Sequence, residues 1–561
     1  MSVPSGLRTA AMRWIADDPC QPDRDELQRI LARAMGGDEE SADALGEAMG
    51  APLTFGTAGL RGPLRAGPAG MNLAVVRRAA AGIAAYLTAN GGAGRTVVVG
   101  HDARHRSAEF AADAARVLAA AGFTALLAPG PLPTPITAFA VQHLDAAAAL
   151  QVTASHNPPN DNGLKVYLAG GAQIVPPMDA QIEAAIAAAP AAVSIPADGS
   201  PTPWPGDLVQ HYLDRVASLP RGTARTLRIA ATPMHGVGGE TLVTGLAQAG
   251  FTDVHVVPAQ AVPDPDFSTV AFPNPEEPGA TDLLLELAAR VGADIAIAND
   301  PDADRCALGV PLDPTNNAGA WRMLRGDEAG VLLGEHILAT LDTTAHPDPL
   351  VATTIVSSSL LRSIAAAHGS RYDETLTGFK WIVRAGDGHG TGLVYGYEEA
   401  LGHCVDPDAV RDKDGISAAM LACDLAATLK ASGRTLLDAL DDLARTHGLH
   451  VTDQLSVRVD DLTRIGAMMT RLRGDLPTAL LGDPVTESSD LLPRTDAIVL
   501  RTQRAKVVVR PSGTEPKLKC YLETATPVPA DAVDLSEVRA AAAADLAALR
   551  AEIAALLGIS A

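Results

Sequence analysis

A chain of 561 residues is too long for one core, and at roughly 100–200 residues per domain its length implies about three to five domains. With 44 Lys plus Arg against 66 Asp plus Glu, the formal charge of −22 argues against a nucleic-acid binder that works by neutralising phosphates. An anionic small molecule would need a private set of cations inside a pocket, and five scattered cysteines without C-x-x-C spacing point to the cytoplasm rather than to disulfides or structural zinc.

Arg8 and Arg13 interrupt any apolar leader, and no run reaches the roughly 18 apolar residues of a membrane span. The first marked segment is FGTAGLRG, Phe55–Gly62, which puts Arg61 in a glycine-rich loop as a candidate cation for a reacting phosphate. A β-branched run, Thr96–Val99, closes at Gly100, and the Ala-rich stretch Ser107–Ala121 carries helical periodicity. Then comes TASHNPPNDNGLKVY, Thr153–Tyr167, where Ser155 and His156 stand before Asn157-Pro158-Pro159. That triplet forbids helix and predicts a loop able to hold the serine away from the strand it follows. Lys165, ten residues on, reaches the hydroxyl as proton carrier or phosphate partner if the loop folds back.

The Pro-rich stretch Ile195–Gly206 ends the first α/β block. Short apolar runs at Leu227–Ala230, Val254–Val257 and Ile295–Ala298 predict a second, whose last strand runs into NDPDADR, Asn299–Arg305. Asp300, Asp302 and Asp304 at alternate positions, kept out of helix by Pro301, can gather around one hard cation; Mg²⁺ is expected because few protein ligands leave room for water and a phosphate oxygen. The Pro/Asn-rich loop Leu312–Gly319 marks the end of this block. In the third, GYEEALGH (Gly396–His403) offers Glu398 and Glu399 as acceptors for sugar hydroxyls, with His403 in the same group. A polar stretch near Thr446–Asp453 closes it. The last block differs: strands at Leu455–Val459, Ala497–Arg501, Lys506–Arg510 and Lys519–Glu523 precede one long helix, Leu535–Leu557, which predicts a sheet with helices on one face. Its RPSGTEPK segment gathers Arg510, Ser512, Gly513 and Thr514, a set suited to a phosphate monoester. Taken singly, each motif also fits an ordinary polar turn.

Together, and in this order, FGTAGLRG, GHDARHRS, TASHNPPNDNGLKVY, NDPDADR, GYEEALGH and RPSGTEPK resemble the α-D-phosphohexomutase superfamily over nearly the whole chain. The resemblance implies an α/β protein of four domains around a central cleft, three related α/β domains with mixed sheets and a C-terminal α+β domain like the TATA-binding protein. The expected spans are residues 1–205, 206–325, 326–450 and 451–561. It implies an intramolecular phosphotransferase interconverting glucose or mannose 1- and 6-phosphates through a phosphoserine enzyme and a sugar bisphosphate such as glucose 1,6-bisphosphate. By motif position, Ser155 matches the phosphorylated serine, and Asp300, Asp302 and Asp304 with the phosphoserine oxygen match the Mg²⁺ site. Arg305 matches a substrate-contacting arginine, Glu398 the sugar-loop glutamate, and Arg510, Ser512, Gly513 and Thr514 the phosphate-gripping loop. Lys165 resembles the general acid/base, and Lys380, in Thr377-Gly378-Phe379-Lys380, a second lysine of the glucose-type enzymes. Ala400 stands where many hexose mutases carry a serine. The E-E-A-L-G form, with TPMHGVGG and TGFKWI, is similar to the branch of bacterial phosphoglucomutases and animal phosphopentomutase-like enzymes. The alternatives are therefore a phosphopentomutase, a Mg²⁺-dependent sugar phosphatase, and an inactive regulatory relative. The expected partner is a small phospho-sugar, with no nucleic acid or membrane, bound by a monomer or homodimer.

Overall fold

The computed structural model describes residues 3–54, 59–313, 316, 319–459, 462–512, 517–529, 532 and 534–559. The chain divides into two compact units, Met1–Met323 with Gly402–Asp424, and Leu324–Leu401 with Leu425–Ala561.

The first unit holds two mixed sheets of one design. In the first, the strands lie in the order Leu60–Pro63, Asp161–Leu168, Ala148–Val152, Thr96–His101, Thr124–Leu127, Thr202–Pro203. The valines at 97–99 and the whole of Ala148–Val152 are buried, as central parallel strands covered on both faces must be. Helix Ser107–Ala120 packs Phe110, Ala114 and Leu118 into the core, one face at four-residue spacing, and its alanines let it lie close to helix Leu73–Ala89. The second sheet runs Trp321–Met323, Cys306–Pro311, Ile295–Asn299, Arg228–Thr232, Asp253–Val256. In both sheets a buried strand turns back antiparallel on its sequence successor while its other neighbour is parallel. The turn between Ala148–Val152 and Asp161–Leu168 carries Ser155; the equivalent turn between Ile295–Asn299 and Cys306–Pro311 carries the three aspartates. The loop Leu312–Gly319 thus connects two strands of one sheet.

Three further helices, Ser5–Asp17, Gln21–Met35 and Glu39–Ala48, form a small core of their own around Ile15, Leu27, Leu31 and Leu45. Arg106 ties them to the first sheet's layer through a pair of hydrogen bonds to Asp23, at 2.7 and 3.0 Å.

In the second unit, Leu350–Thr354 is parallel to both Arg371–Thr375 and Leu393–Glu398, so Glu398 and Glu399 again follow a buried strand. The second sheet here is antiparallel throughout, in the order Leu449–Arg458, Lys517–Thr526, Ala505–Pro511, Ile498–Arg501, Glu487–Asp490. Two helices cover one face, Leu462–Gly474 and Ser536–Leu557, where the sequence suggests one. Ile465, Met469 and Leu472 are the buried stripe of the additional helix. The polar stretch near Thr446–Asp453 passes from helix Leu436–His447 into the long strand Leu449–Arg458 of the antiparallel sheet, and the polar edge strand Glu487–Asp490 exists because Ile498–Arg501 offers it a ladder, not because of its own residues. No helix among the described residues is long and apolar enough to cross a membrane.

Candidate active site

Ser155 sits at φ +52°, the left-handed region that costs a side-chain-bearing residue of order 1 kcal/mol and is held only by its surroundings. Those surroundings are specific. The Thr153 hydroxyl accepts the Ser155 amide at 2.9 Å, and the Arg104 guanidinium donates to the carbonyls of Ser155, Asn157, Pro158 and Asp161. Arg61, on the neighbouring edge strand, donates to Asn157 Oδ1 at 2.8 Å. That strand comes close because residue 163 is glycine: a Cβ there would stand 2.5 Å from the Leu60 carbonyl oxygen and 2.7 Å from that of Thr153. The bent loop aims Ser155 Oγ at Asp300 Oδ2, 2.9 Å away, with His156 Nδ1 at 3.1 Å.

Asp300, Asp302 and Asp304 bring their carboxylate oxygens within 4.8 Å of one another, all three buried. The loop that carries them is seated by Gly236, whose missing side chain leaves room for Pro301, and by a bond from the Val237 amide to the Pro301 carbonyl. Each aspartate is anchored by one oxygen. Asp300 Oδ1 accepts the Arg305 amide at 3.0 Å, Asp302 Oδ2 accepts Thr134 Oγ1 and Lys165 Nζ, and Asp304 Oδ2 accepts Lys165 Nζ at 2.6 Å. The other oxygens of Asp302 and Asp304 are buried without a hydrogen-bond partner among the described residues. Two unsatisfied buried anionic oxygens beside a third carboxylate are what a hard divalent cation satisfies, so the residues fit Mg²⁺.

The electrostatics agree. Burial, then Asp302 and Asp304, push the Asp300 carboxyl well above its usual range. Burial works against the Lys165 ammonium, but Asp302 and Asp304 outweigh it and hold Lys165 charged. Burial, aided by Arg305 and Arg61, drives the His156 imidazole well below its ordinary value, which leaves it neutral near pH 7. Lys413, at 3.4 Å from Asp304 Oδ2, is a second ammonium on the triad. Neither Lys413 nor Arg104 stands out in the sequence, although Arg104 lies inside GHDARHRS, whose density of charge within an apolar α/β block is a visible signal.

Not every sequence candidate joins this cluster. Arg305 lies beside it, its guanidinium 3.5 Å from Glu276 Oε2. His403 is buried, and burial pulls its imidazole down to about 4, partly offset by a hydrogen bond with the Cys306 backbone. The remaining candidates belong to the second unit. Glu399 turns inward and accepts from Ser357 Oγ at 3.0 Å and Thr354 Oγ1 at 3.3 Å, leaving Glu398 as the last residue of its strand. Lys380 lies in the short helix Phe379–Ile382 and is buried. Arg510 stands near the end of strand Ala505–Pro511, opposite Lys519, and the Ser512 amide donates to the Lys517 carbonyl at 2.8 Å. Gly513 and Thr514 lie outside the described residues, as do Phe55–Ala58 of the first motif.

Burial, with Glu398 and Asp327 nearby, pushes the Glu399 carboxyl up to about 7. An unfolded glutamate ionises near pH 4.3, so between there and pH 7 the folded state keeps a proton the unfolded state has lost, and stability falls as pH rises through that window. Glu399→Gln removes this dependence. The melting temperature of the variant relative to the native chain is expected to rise between about pH 5 and about pH 8, and a difference independent of pH would place the Glu399 ionisation elsewhere.

A polarised serine, a buried cation site and a ring of basic side chains define an enzyme of phosphoryl transfer. Models of the phosphoglucomutase/phosphomannomutase family match four successive segments: alpha/beta/alpha domain I at residues 52–192, domain II at 210–312, domain III at 325–446, and the C-terminal domain at 455–553. The chain is 43% identical over 472 residues to a probable phosphomannomutase of Haemophilus influenzae, covering 82% of this chain and 95% of that one. It is 33% identical over 568 residues to a probable phosphoribomutase of Schizosaccharomyces pombe, covering 92% and 93%. The crystal structure of a putative phosphomannomutase from Thermus thermophilus superposes with a TM-score of 0.67 at 25% identity, over 88% of this chain and 99% of that one. The chain belongs to the phosphoglucomutase/phosphomannomutase family, four mixed α/β domains forming an isomerase of the intramolecular phosphotransferase type.

Proposed function

We propose that the protein interconverts hexose 1- and 6-phosphates, glucose and mannose phosphates first, through phospho-Ser155 and a sugar bisphosphate. The observation that carries this reading is the Ser155 hydroxyl held 2.9 Å from Asp300 in a three-carboxylate site. In the forward half, a sugar hydroxyl oxygen attacks the phosphorus, the Oγ–P bond breaks, and the hydroxyl proton passes to a base on the protein. The resulting bisphosphate turns over and returns its other phosphoryl group to Ser155 Oγ, which restores the enzyme and leaves the isomer. A free sugar bisphosphate such as glucose 1,6-bisphosphate therefore serves as both intermediate and activator.

Asp300, Asp302, Asp304 and an oxygen of phospho-Ser155 would hold Mg²⁺, which when bound neutralises charge on the transferring phosphoryl group. Arg61 and Arg104 fix the loop that presents the serine, and Arg61 and Arg305 add positive charge beside it. His156, neutral at 3.1 Å from Ser155 Oγ, and Lys165 are the proton-handling groups of the first unit; Lys380 is that of the second. Glu398 selects the sugar on a loop that Glu399 anchors, and Arg510, Ser512, Gly513 and Thr514 grip the phosphate that is not reacting. We assign one of these duties to each of four domains, at 1–205, 206–325, 326–450 and 451–561, with the protein a cytoplasmic monomer or homodimer.

The pentose reading stays as the second, because one relative carries the name phosphoribomutase at 33% identity and Ala400 lacks the hydroxyl that many hexose enzymes supply. The deciding experiment measures kcat/KM for glucose 1-phosphate, mannose 1-phosphate and ribose 1-phosphate, each primed with its bisphosphate. A hexose phosphate is expected to win by about a hundredfold, some 2.7 kcal/mol of transition-state discrimination. A ribose 1-phosphate preference of that size establishes the pentose reading, and phosphate release without isomerisation a phosphatase.

A further inference from the structure

The sheet that carries Arg510 and the sheet that ends in Glu398 meet at one short turn of the second unit. Lys506 and Glu523 are direct cross-strand partners on Ala505–Pro511 and Lys517–Thr526, the two strands that flank the RPSGTEPK segment. Lys506 and Arg510, four residues apart on one strand, share a face. Both Lys506 and Glu523 reach the segment Ser357–Ser359 between strand Leu350–Thr354 and helix Leu360–Ala367. Lys506 Nζ donates to the Ser357 carbonyl at 2.8 Å. Glu523 accepts from Ser358 Oγ at 2.7 Å and from the Ser359 amide at 2.9 Å, so a carboxylate from another sheet caps this helix. His450 holds the same carboxylate at 2.8 Å.

The opposite side of the turn belongs to the sugar loop. Ser357 Oγ accepts the Glu399 amide at 3.1 Å and donates to Glu399 Oε2 at 3.0 Å. Ser357, Ser358, Lys506 and Glu523 are all at most 4% exposed. Hydrogen bonds between buried charged and polar groups are strong and directional, and breaking one leaves its partner unsatisfied. A serine with its carbonyl on one sheet and its hydroxyl on another's loop cannot shift without moving both.

We propose that the Ser357–Ser359 turn is a positioning relay that fixes the Glu398–Glu399 loop relative to the strand that carries Arg510, so that sugar and phosphate are recognised as one rigid pattern. The inference rests on the mutase reading. None of the three serines is assigned contact with substrate, nor is Lys506 or Glu523; they act through Glu399 and the two strands.

The test is a double-mutant cycle on the full-length enzyme with its preferred sugar phosphate. Ser357→Ala cuts the link to the sugar loop, and Lys506→Met cuts the link to the phosphate strand; it also removes the 2.8 Å pair between Lys506 Nζ and Glu374 Oε1, on strand Arg371–Thr375, but Glu374 keeps Arg501 as a partner. Each single variant is expected to raise KM about tenfold with kcat within about twofold, because ground-state and transition-state binding are lost together. The double variant is expected to stay near tenfold, since a relay cut at either end is already cut. A product near a hundredfold, or an unchanged KM in either single variant, overturns the relay. Ser358→Ala, which removes the bond to Glu523 and the 3.2 Å bond that Ser358 Oγ accepts from the Leu360 amide, repeats the measurement at the other grip and must give the same KM rise. A native enzyme inactive on all three sugar phosphates overturns the mutase reading itself, and the relay with it.

Discussion

Ser155→Ala is expected to reduce mutase turnover by at least about 10⁴-fold, the scale on which losing a covalent nucleophile is felt. The fold should survive. Among the described residues Ser155 Oγ bonds only Asp300 and His156, both inside the site, while the loop's shape depends on Thr153, Arg104 and Arg61, which the substitution leaves in place. The lost hydrogen bond is worth about 1 kcal/mol, so thermal unfolding should shift by only a few degrees. Binding of the sugar phosphate to the unphosphorylated variant should persist, since Arg510 and Glu398 lie elsewhere in the chain. A variant with near-native kcat would mean that phosphoryl groups reach the sugar by another route.

The second large effect concerns the aspartates. Asp302→Asn keeps the shape of the side chain and the bond from Thr134 but removes the charge that faces Lys165. Changes in a metal's outer sphere cost roughly 10–100-fold in affinity, and loss of a ligand costs more. Isothermal titration of the native and variant proteins with Mn²⁺, used as a probe of the site, should show at least about a hundredfold weaker binding in the variant, with kcat falling in parallel at fixed Mg²⁺. Lys165 retains Asp304 as a partner at 2.6 Å, so the variant should fold. Native-like metal affinity with native-like activity would remove Asp302 from the ligand set.

Much of this site is legible in the sequence because its chemistry is local. Ser155 precedes Asn-Pro-Pro, and the aspartates alternate directly after a buried strand; both features depend on neighbours in the chain. The partners that complete them are not local. Thr134 meets Asp302 across 168 positions, Lys165 meets the same residue across 137, and Lys413 approaches Asp304 only because Gly402–Asp424 returns to the first unit. That return is invisible to periodicity, which sees each segment by itself. The polar edge strand Glu487–Asp490 is hidden for the same reason, and the inward turn of Glu399 depends on Ser357, far from it in the chain. Of the adjacent glutamates, the motif alone offers both as acceptors for a sugar; the hydrogen bonds of Glu399 to Ser357 and Thr354 show that it anchors the loop.

The central claim is that a phosphoryl group resides on Ser155 and passes to the sugar. The direct measurement incubates the enzyme with isotopically labelled glucose 1,6-bisphosphate, maps the phosphopeptide by mass spectrometry, and chases it with unlabelled glucose 1-phosphate. The label is predicted on the peptide containing Ser155, one group per chain, and should move to the sugar at least as fast as steady-state turnover. Label on another residue, or label on Ser155 that leaves more slowly than the enzyme turns over, would contradict it.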